Sequence, residues 1–134
     1  KEPLSVRLRV LFESLSEIID THRPTVAAIE SVFMAKSADS ALKLGHARGA
    51  AMVACVINEL AVFEYAARQI KQSVVGTGAA SKQQVQHMVT LLLGLSAEPA
   101  EDAADGLAAA LCHCHAEELS GALAASGFKA GRLR

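Results

Sequence analysis

Residues 25–33, TVAAIESVF, and residues 61–66, AVFEYA, are two short apolar runs that decide the fold. Both contain β-branched or aromatic side chains, so each is predicted to form a strand, the first over residues 25–31. The segment between them has helical character, and two strands joined by a helical crossover pair in parallel. The sequence therefore predicts an α/β fold built on a parallel βαβ unit.

Helix signals fill most of the remaining sequence. Ser37 is a predicted N-cap, and Ser81 with Gln84 forms an S-x-x-Q capping box that opens a later helix. Gly94 is expected to end that helix. Residues 68–76, RQIKQSVVG, are ambiguous, with a short helix as one interpretation. The predicted helices cover residues 4–21, 38–59, 82–93 and 100–118.

Composition indicates a globular protein with one core. The 134 residues suffice for a single domain, predicted over residues 1–120, followed by a basic, mobile tail over residues 121–134. Three cysteines without framework spacing argue against a disulfide scaffold and favour a reducing compartment. Because no apolar run is long enough to cross a bilayer, we expect a cytoplasmic protein that does not engage a membrane.

Charge is unevenly distributed along the chain. Between Ser31 and Ala97 six basic residues face three acidic ones, whereas from Glu98 onward six acidic residues face three basic ones. A positive middle next to an acidic helix suits a phosphate-binding surface beside a cation site, although an ordinary solvated surface would show the same balance.

A carboxylate pair in residues 99–115, PAEDAADGLAAALCHCH, is the main candidate for chemistry. Asp102 and Asp105 lie near a helix start, where two carboxylates can share a hard cation and where acids also match the helix dipole. Glu30 is near the end of an apolar strand, and burying a lone carboxylate is costly. Three acids converging from a strand end and a helix start would form an oxygen-rich site suited to Mg²⁺.

Three other features are weaker. The Cys-His-Cys-His run at 112–115 looks like a zinc motif, but helical residues two apart point to nearly opposite sides, so Cys112 and Cys114 are predicted to be mostly packing residues. GTGAASKQ (76–83) lacks the glycine that precedes the lysine in a P-loop and the Ser or Thr that follows it. Lys82 is therefore either a phosphate contact at a helix start or an ordinary surface lysine. Phe33 follows the first strand and is either a core residue or a base-stacking one.

Three segments together resemble the RuvC family of Holliday junction resolvases. They occur in order and at suitable spacing, as IESVFMAKSADSALKLGHARG (29–49), FEYAARQIKQSVVGTGAASKQQVQHMV (63–89) and AEDAADGLAAALCHCH (100–115). The resemblance implies a ribonuclease-H-like fold, a mixed sheet flanked by helices. It also implies a Mg²⁺-dependent homodimer, with two ions per active site, that nicks two opposed strands of a four-way DNA junction symmetrically. A junction-migrating helicase complex is an implied partner.

The resemblance assigns roles to particular residues. The family's metal-binding catalytic acids are matched by Glu30, Asp102 and Asp105. Its catalytic basic residues, which lie near the scissile phosphate and contact DNA, are matched by Lys71 and Lys82. Phe33 matches an aromatic residue that acts on bases near the crossover. The helix over residues 38–59, with a ridge formed by Gly45 and Gly49, matches the helix that forms much of the dimer interface.

One departure leaves the activity of this chain open. The family begins with a strand that carries a fourth acid in a G-x-D-P-G setting, followed by two more strands, and this sequence has no such pattern. We therefore expect a resolvase chain without those N-terminal strands, since two parallel strands alone make a poor sheet. The alternatives are an inactive fragment that retains only junction binding or dimerisation, and a related nuclease that acts on RNA–DNA hybrids.

Overall fold

The structure, a computed structural model, describes residues 2–32 and 36–126 of the chain. The described helices are α1 (Leu4–His22), α2 (Ala38–Ile57), α3 (Ala67–Val75), α4 (Lys82–Leu93) and α5 (Glu101–Ala125). The described strands are β1 (Val26–Ser31) and β2 (Ala61–Ala66). The chain divides into two compact units: the first ends at Ala66 and the second begins at Ala67.

The sheet confirms the predicted βαβ unit. β1 and β2 pair in parallel, with Val26 opposite Ala61 and Ser31 opposite Ala66, and α2 is the crossover between them. The prediction that β1 is buried is wrong, because Val26 is exposed and the other five residues are half-buried. Within the described ranges β1 has only one partner strand, so its second edge is left accessible.

The core of the first unit lies between the sheet and its helices. Ile19 of α1, Cys55 of α2 and Leu60 are buried together, with Ala27 of β1 and Val62 of β2 packed against them. Each element of the unit thus contributes an apolar side chain to one cluster. Removal of these side chains from water holds α1 and α2 to the two strands.

The second unit consists of three helices that pack against one another. Residues 68–75, for which the sequence left the structure ambiguous, belong to helix α3. Ile70 and Val74 lie one turn apart on this helix and are both buried, which favours the helical conformation. Small side chains on α5 let the neighbouring helices approach closely. The remaining buried apolar residues of the unit are Ala80, Val85, Val89, Ala104, Ala108, Ala109 and Cys112.

Capping sets the ends of α4. Ser81 Oγ accepts a hydrogen bond from the Gln84 N–H at 3.2 Å, and Gln84 Oε1 accepts one from the Ser81 N–H at 2.8 Å, which confirms the predicted capping box. Gly94, with φ of 60°, ends the helix in the left-handed region, which a residue without Cβ adopts easily.

The other helix ends agree with the sequence less uniformly. Ser37 is the N-cap of α2, as predicted, and its side chain accepts a hydrogen bond from the Ser40 N–H. α5 continues to Ala125, beyond the predicted end at residue 118.

The single domain over residues 1–120 and the tail over 121–134 stay predictions. None of the helices in the described ranges is long and apolar enough to cross a membrane.

Loss of the Ser81 cap should destabilise the second unit. Ser81→Ala leaves the Gln84 N–H without its acceptor, so the free energy of unfolding should fall by about 1 kcal/mol in urea denaturation. Ser96→Ala is the matched control, since Ser96 is exposed and outside the helices, and it should change stability by less than ~0.5 kcal/mol. Equal losses in both variants would contradict the capping role.

Candidate functional site

Glu30 lies one residue before the end of β1, opposite Tyr65 of β2, and is half-buried. This confirms its predicted place near the strand end. Side chains alternate along a strand, so Glu30 and Ile29 face opposite sides of the sheet. A half-buried carboxylate keeps part of its hydration, so burial alone does not require a functional partner for Glu30.

An ion pair that the sequence analysis did not predict joins α2 to β2. Arg48 pairs with Glu64, the residue opposite Ile29 in the sheet. Arg48 Nε is buried and has no hydrogen-bond partner among the described residues. A groove of about 390 Å³ beside this arginine is lined mainly by apolar residues, with Glu30 the other charged residue in its lining. In the sequence, the sign of this contact is Arg48 itself, a charged residue that comes just before the apolar second half of α2.

The predicted carboxylate pair opens α5, and its two members differ. Asp102 is exposed in the first turn, after an N-cap, Ala100, that makes no side-chain hydrogen bond. An acid there compensates the free N–H groups of the helix start. Asp105 lies beyond the first turn and is half-buried. Because the helix-end effect fades within one turn, dipole matching accounts for Asp102 but not for Asp105.

Lys82 is held beside these acids by a residue that the sequence analysis missed. It is the first residue of α4 and pairs with Glu101, the first residue of α5. The hydrogen bond and charge of Glu101 raise the pKa of Lys82, and the charges of Asp105 and Asp102 raise it further, against desolvation that lowers it. The ammonium therefore stays protonated. Three predicted site residues, Lys82, Asp102 and Asp105, are brought together within the second unit.

Lys71 lies on α3 and is half-buried. Two residues further on, Ser73 Oγ and His115 Nδ1 are 2.8 Å apart in a hydrogen bond that joins α3 to α5. This contact was not predicted, because nothing in the sequence indicates which residues of two separate helices will meet. It fixes the helix that carries Lys71 against the helix that carries the carboxylate pair.

The Cys-His-Cys-His run divides between the inside and the outside of the second unit. Cys112 and His113 are buried, whereas Cys114 is exposed. Cys112 is the packing residue that the sequence predicted, but the same prediction for Cys114 is wrong, because the helical turn carries it to the solvent face. Burial raises the pKa of the Cys112 thiol, and a hydrogen bond with Ser73 opposes that rise.

The three acids of the predicted metal site belong to different units: Glu30 to the first, Asp102 and Asp105 to the second. Over residues 2–32 and 36–126, no three His, Cys, Asp or Glu side chains form a group that could hold a metal ion. The three-acid site thus stays a prediction. Phe33 lies outside the described residues.

Sequence comparison identifies the family. The family described as "Crossover junction endodeoxyribonuclease RuvC" matches residues 1–113 of the chain. The chain belongs to the RuvC family. A RuvC of Teredinibacter turnerae is 64% identical over 115 residues, which is 86% of this chain and 65% of the relative. A RuvC of Saccharophagus degradans is 61% identical over 133 residues, 98% of this chain and 77% of that relative.

Solved structures agree with this assignment. A RuvC structure from Thermus thermophilus superposes with a TM-score of 0.80 at 33% identity, covering 89% of this chain and 72% of that one. The same protein in complex with a Holliday junction substrate gives a TM-score of 0.82 at 33% identity, covering 89% and 73%. The predicted α/β, ribonuclease-H-like fold is therefore confirmed, and the described residues contain a parallel strand pair of it.

Alkylation should separate the three cysteines. Cys114 is exposed, whereas Cys55 and Cys112 are buried and burial raises the pKa of both thiols, so less of either is the reactive thiolate near neutral pH. Brief treatment of the folded protein with iodoacetamide, followed by peptide mass spectrometry, should modify Cys114 alone, and Cys114→Ala should abolish that modification. Equal labelling of Cys112 would contradict the buried environment described above.

Proposed function

We propose that the protein containing this chain is a structure-specific endonuclease that resolves four-way DNA junctions by paired, symmetric nicks in recombination and repair. The match of residues 1–113 to the RuvC family carries the proposal. The Thermus thermophilus relative bound to a Holliday junction substrate supports junction DNA as the ligand. Because the chain spans 65% of one relative and 77% of another, the proposal concerns the whole protein.

Mg²⁺ is the proposed cofactor of this metal-dependent nuclease family, with two ions per active site. Asp102 and Asp105 supply carboxylate oxygens, the donors that a hard cation prefers, and the family resemblance adds Glu30 as a third ligand. Bound Mg²⁺ would activate a water molecule and stabilise the leaving oxygen of an in-line displacement. The half-buried position of Asp105, which helix-dipole matching leaves without an explanation, supports a ligand role.

Basic residues of the second unit are proposed to position the scissile phosphate. Lys82 remains protonated beside the carboxylates, so it can offset negative charge that a phosphate brings to the acidic end of α5. Lys71 has the same proposed role from α3, and the Ser73–His115 hydrogen bond would hold that helix in place. Phe33 is proposed to stack on a base near the crossover.

We also propose a homodimer formed through α2. Gly45 and Gly49 are exposed on this helix, and a Cβ added to either would meet nothing within 4 Å among the described residues. Packing among those residues therefore does not require these glycines, although each costs about 1 kcal/mol of helix stability relative to Ala. The helix also exposes several large apolar side chains, namely Leu42, Leu44, Val53, Val56 and Ile57.

The junction-migrating helicase complex stays a predicted partner, and no surface of this chain is proposed for it.

Removing one carboxylate should separate cleavage from binding. In the whole protein, Asp102→Asn deletes a negative charge at an exposed position, so the fold should be kept while metal-dependent cleavage of a labelled four-way junction is abolished. Binding of the junction in a gel-shift assay without divalent metal should persist. Asp20→Asn is the control, because Asp20 is an exposed acid of α1 that pairs with Arg23, the residue just after the helix, and this variant should cut normally. Full cleavage by Asp102→Asn would contradict the site assignment.

Bulk on the α2 ridge should weaken the dimer. Gly49→Leu places a side chain where the partner would approach, so the dimer dissociation constant from analytical ultracentrifugation should rise about tenfold or more. The thermal unfolding midpoint of the monomer should not fall, because no described residue lies within 4 Å of a Cβ at this position. Gly121 on α5 is equally open with respect to the residues that the structure describes, and Gly121→Leu should leave the dimer intact. Unchanged dimerisation of Gly49→Leu would overturn this interface.

A further inference from the structure

Lys82 has two competing partners, a DNA phosphate and the Glu101 carboxylate. The proposed function requires its ammonium for a DNA phosphate, yet in the free protein the same ammonium is hydrogen-bonded to the Glu101 carboxylate. No assigned role includes Glu101. Since the two residues are the first of α4 and α5, the contact also brings two helix N-termini together.

The contact is one that a phosphate can replace. Both side chains are largely exposed, 63% for Lys82 and 52% for Glu101, and exposed ion pairs are weak. Glu101 keeps a favourable environment when it releases the lysine, because a carboxylate in the first turn of α5 interacts well with the helix dipole. An arriving phosphate is likewise suited to a helix N-terminus that carries a lysine.

We propose that Glu101 is a positioning residue that holds Lys82 in the free protein and competes with DNA phosphate for it. Glu101 orients the ammonium toward the start of α5, next to Asp102 and Asp105, before DNA arrives. It also lowers junction affinity, because its charge must be displaced from Lys82 when a phosphate binds. This inference rests on the proposed function, since it assumes that Lys82 contacts DNA.

Glu101→Gln in the whole protein is the direct test. It removes the charge but keeps the side-chain size, so the dissociation constant for a synthetic four-way junction, measured without divalent metal, should fall about two- to fivefold at low salt. The gain should shrink as salt rises, because both the ion pair and the phosphate contact are screened. By NMR, the pKa of Lys82 should move down toward its usual value in this variant.

Two controls separate this role from a general charge effect. Glu118→Gln removes the same charge from an exposed position further along α5 and should change affinity much less. In a Lys82→Gln background, Glu101→Gln should give a clearly smaller gain than it does in the wild type. An equal gain in both backgrounds would overturn the proposal, because Glu101 would then act on DNA independently of Lys82.

Other outcomes bear on different claims. Unchanged affinity of Glu101→Gln, with wild-type protein binding the junction normally, would overturn this inference and leave the proposed function intact. A higher metal requirement for cleavage, without tighter DNA binding, would make Glu101 a metal ligand and also overturn it. Wild-type protein that fails to bind the junction would instead refute the proposed function.

Discussion

Parallel pairing of β1 with β2 is the constraint on which the first unit depends. Parallel strands cannot be joined by a tight turn, so the chain needs a crossover, and α2 provides it. Ser31 lies opposite Ala66, and both strands therefore end at the same edge of the sheet. That register fixes Glu30 near the edge, where functional side chains of α/β folds collect. The crossover helix α2 itself exposes several large apolar side chains that no described residue buries.

Much of this architecture could be predicted because its signals are local. Ser81, Gln84 and Gly94 form a capping pattern at the ends of one helix, and both strands are short apolar runs joined by a helical segment, which predicts parallel pairing. The half-burial of β1 could not be predicted from its composition, since burial depends on how many strands surround it. The α5 boundary was missed because alanine and leucine continue past Glu118 and favour helix up to Ala125.

The candidate site also has parts that the sequence predicts and parts that it does not. Asp102 and Asp105 could be selected from their spacing, Glu30 from its place near a strand end and Lys82 from its place near a helix start, whereas only the family resemblance supplied Lys71. Contacts between separate helices were not predictable: Lys82 with Glu101 and Ser73 with His115 depend on how α3, α4 and α5 pack. The exposure of Cys114 follows from helix geometry, because a residue two positions from the buried Cys112 points to nearly the opposite side of the helix.

The charged groups of the second unit suit its proposed function. A lysine at the start of one helix lies beside carboxylates at the start of the next, which keeps the cation charged and limits repulsion among the acids. The arrangement leaves carboxylate oxygens and an ammonium side by side, as a site that handles a metal and a phosphate together requires.

Paired, symmetric cutting of four-way junctions can be measured by labelling each strand of a synthetic junction in turn, adding the whole protein with Mg²⁺, and mapping the nicks at nucleotide resolution. Nicks are expected at symmetry-related positions in two opposed strands, with little cutting of linear duplex or RNA–DNA hybrid. Unpaired nicks, or preferential digestion of the hybrid, would contradict the proposed function.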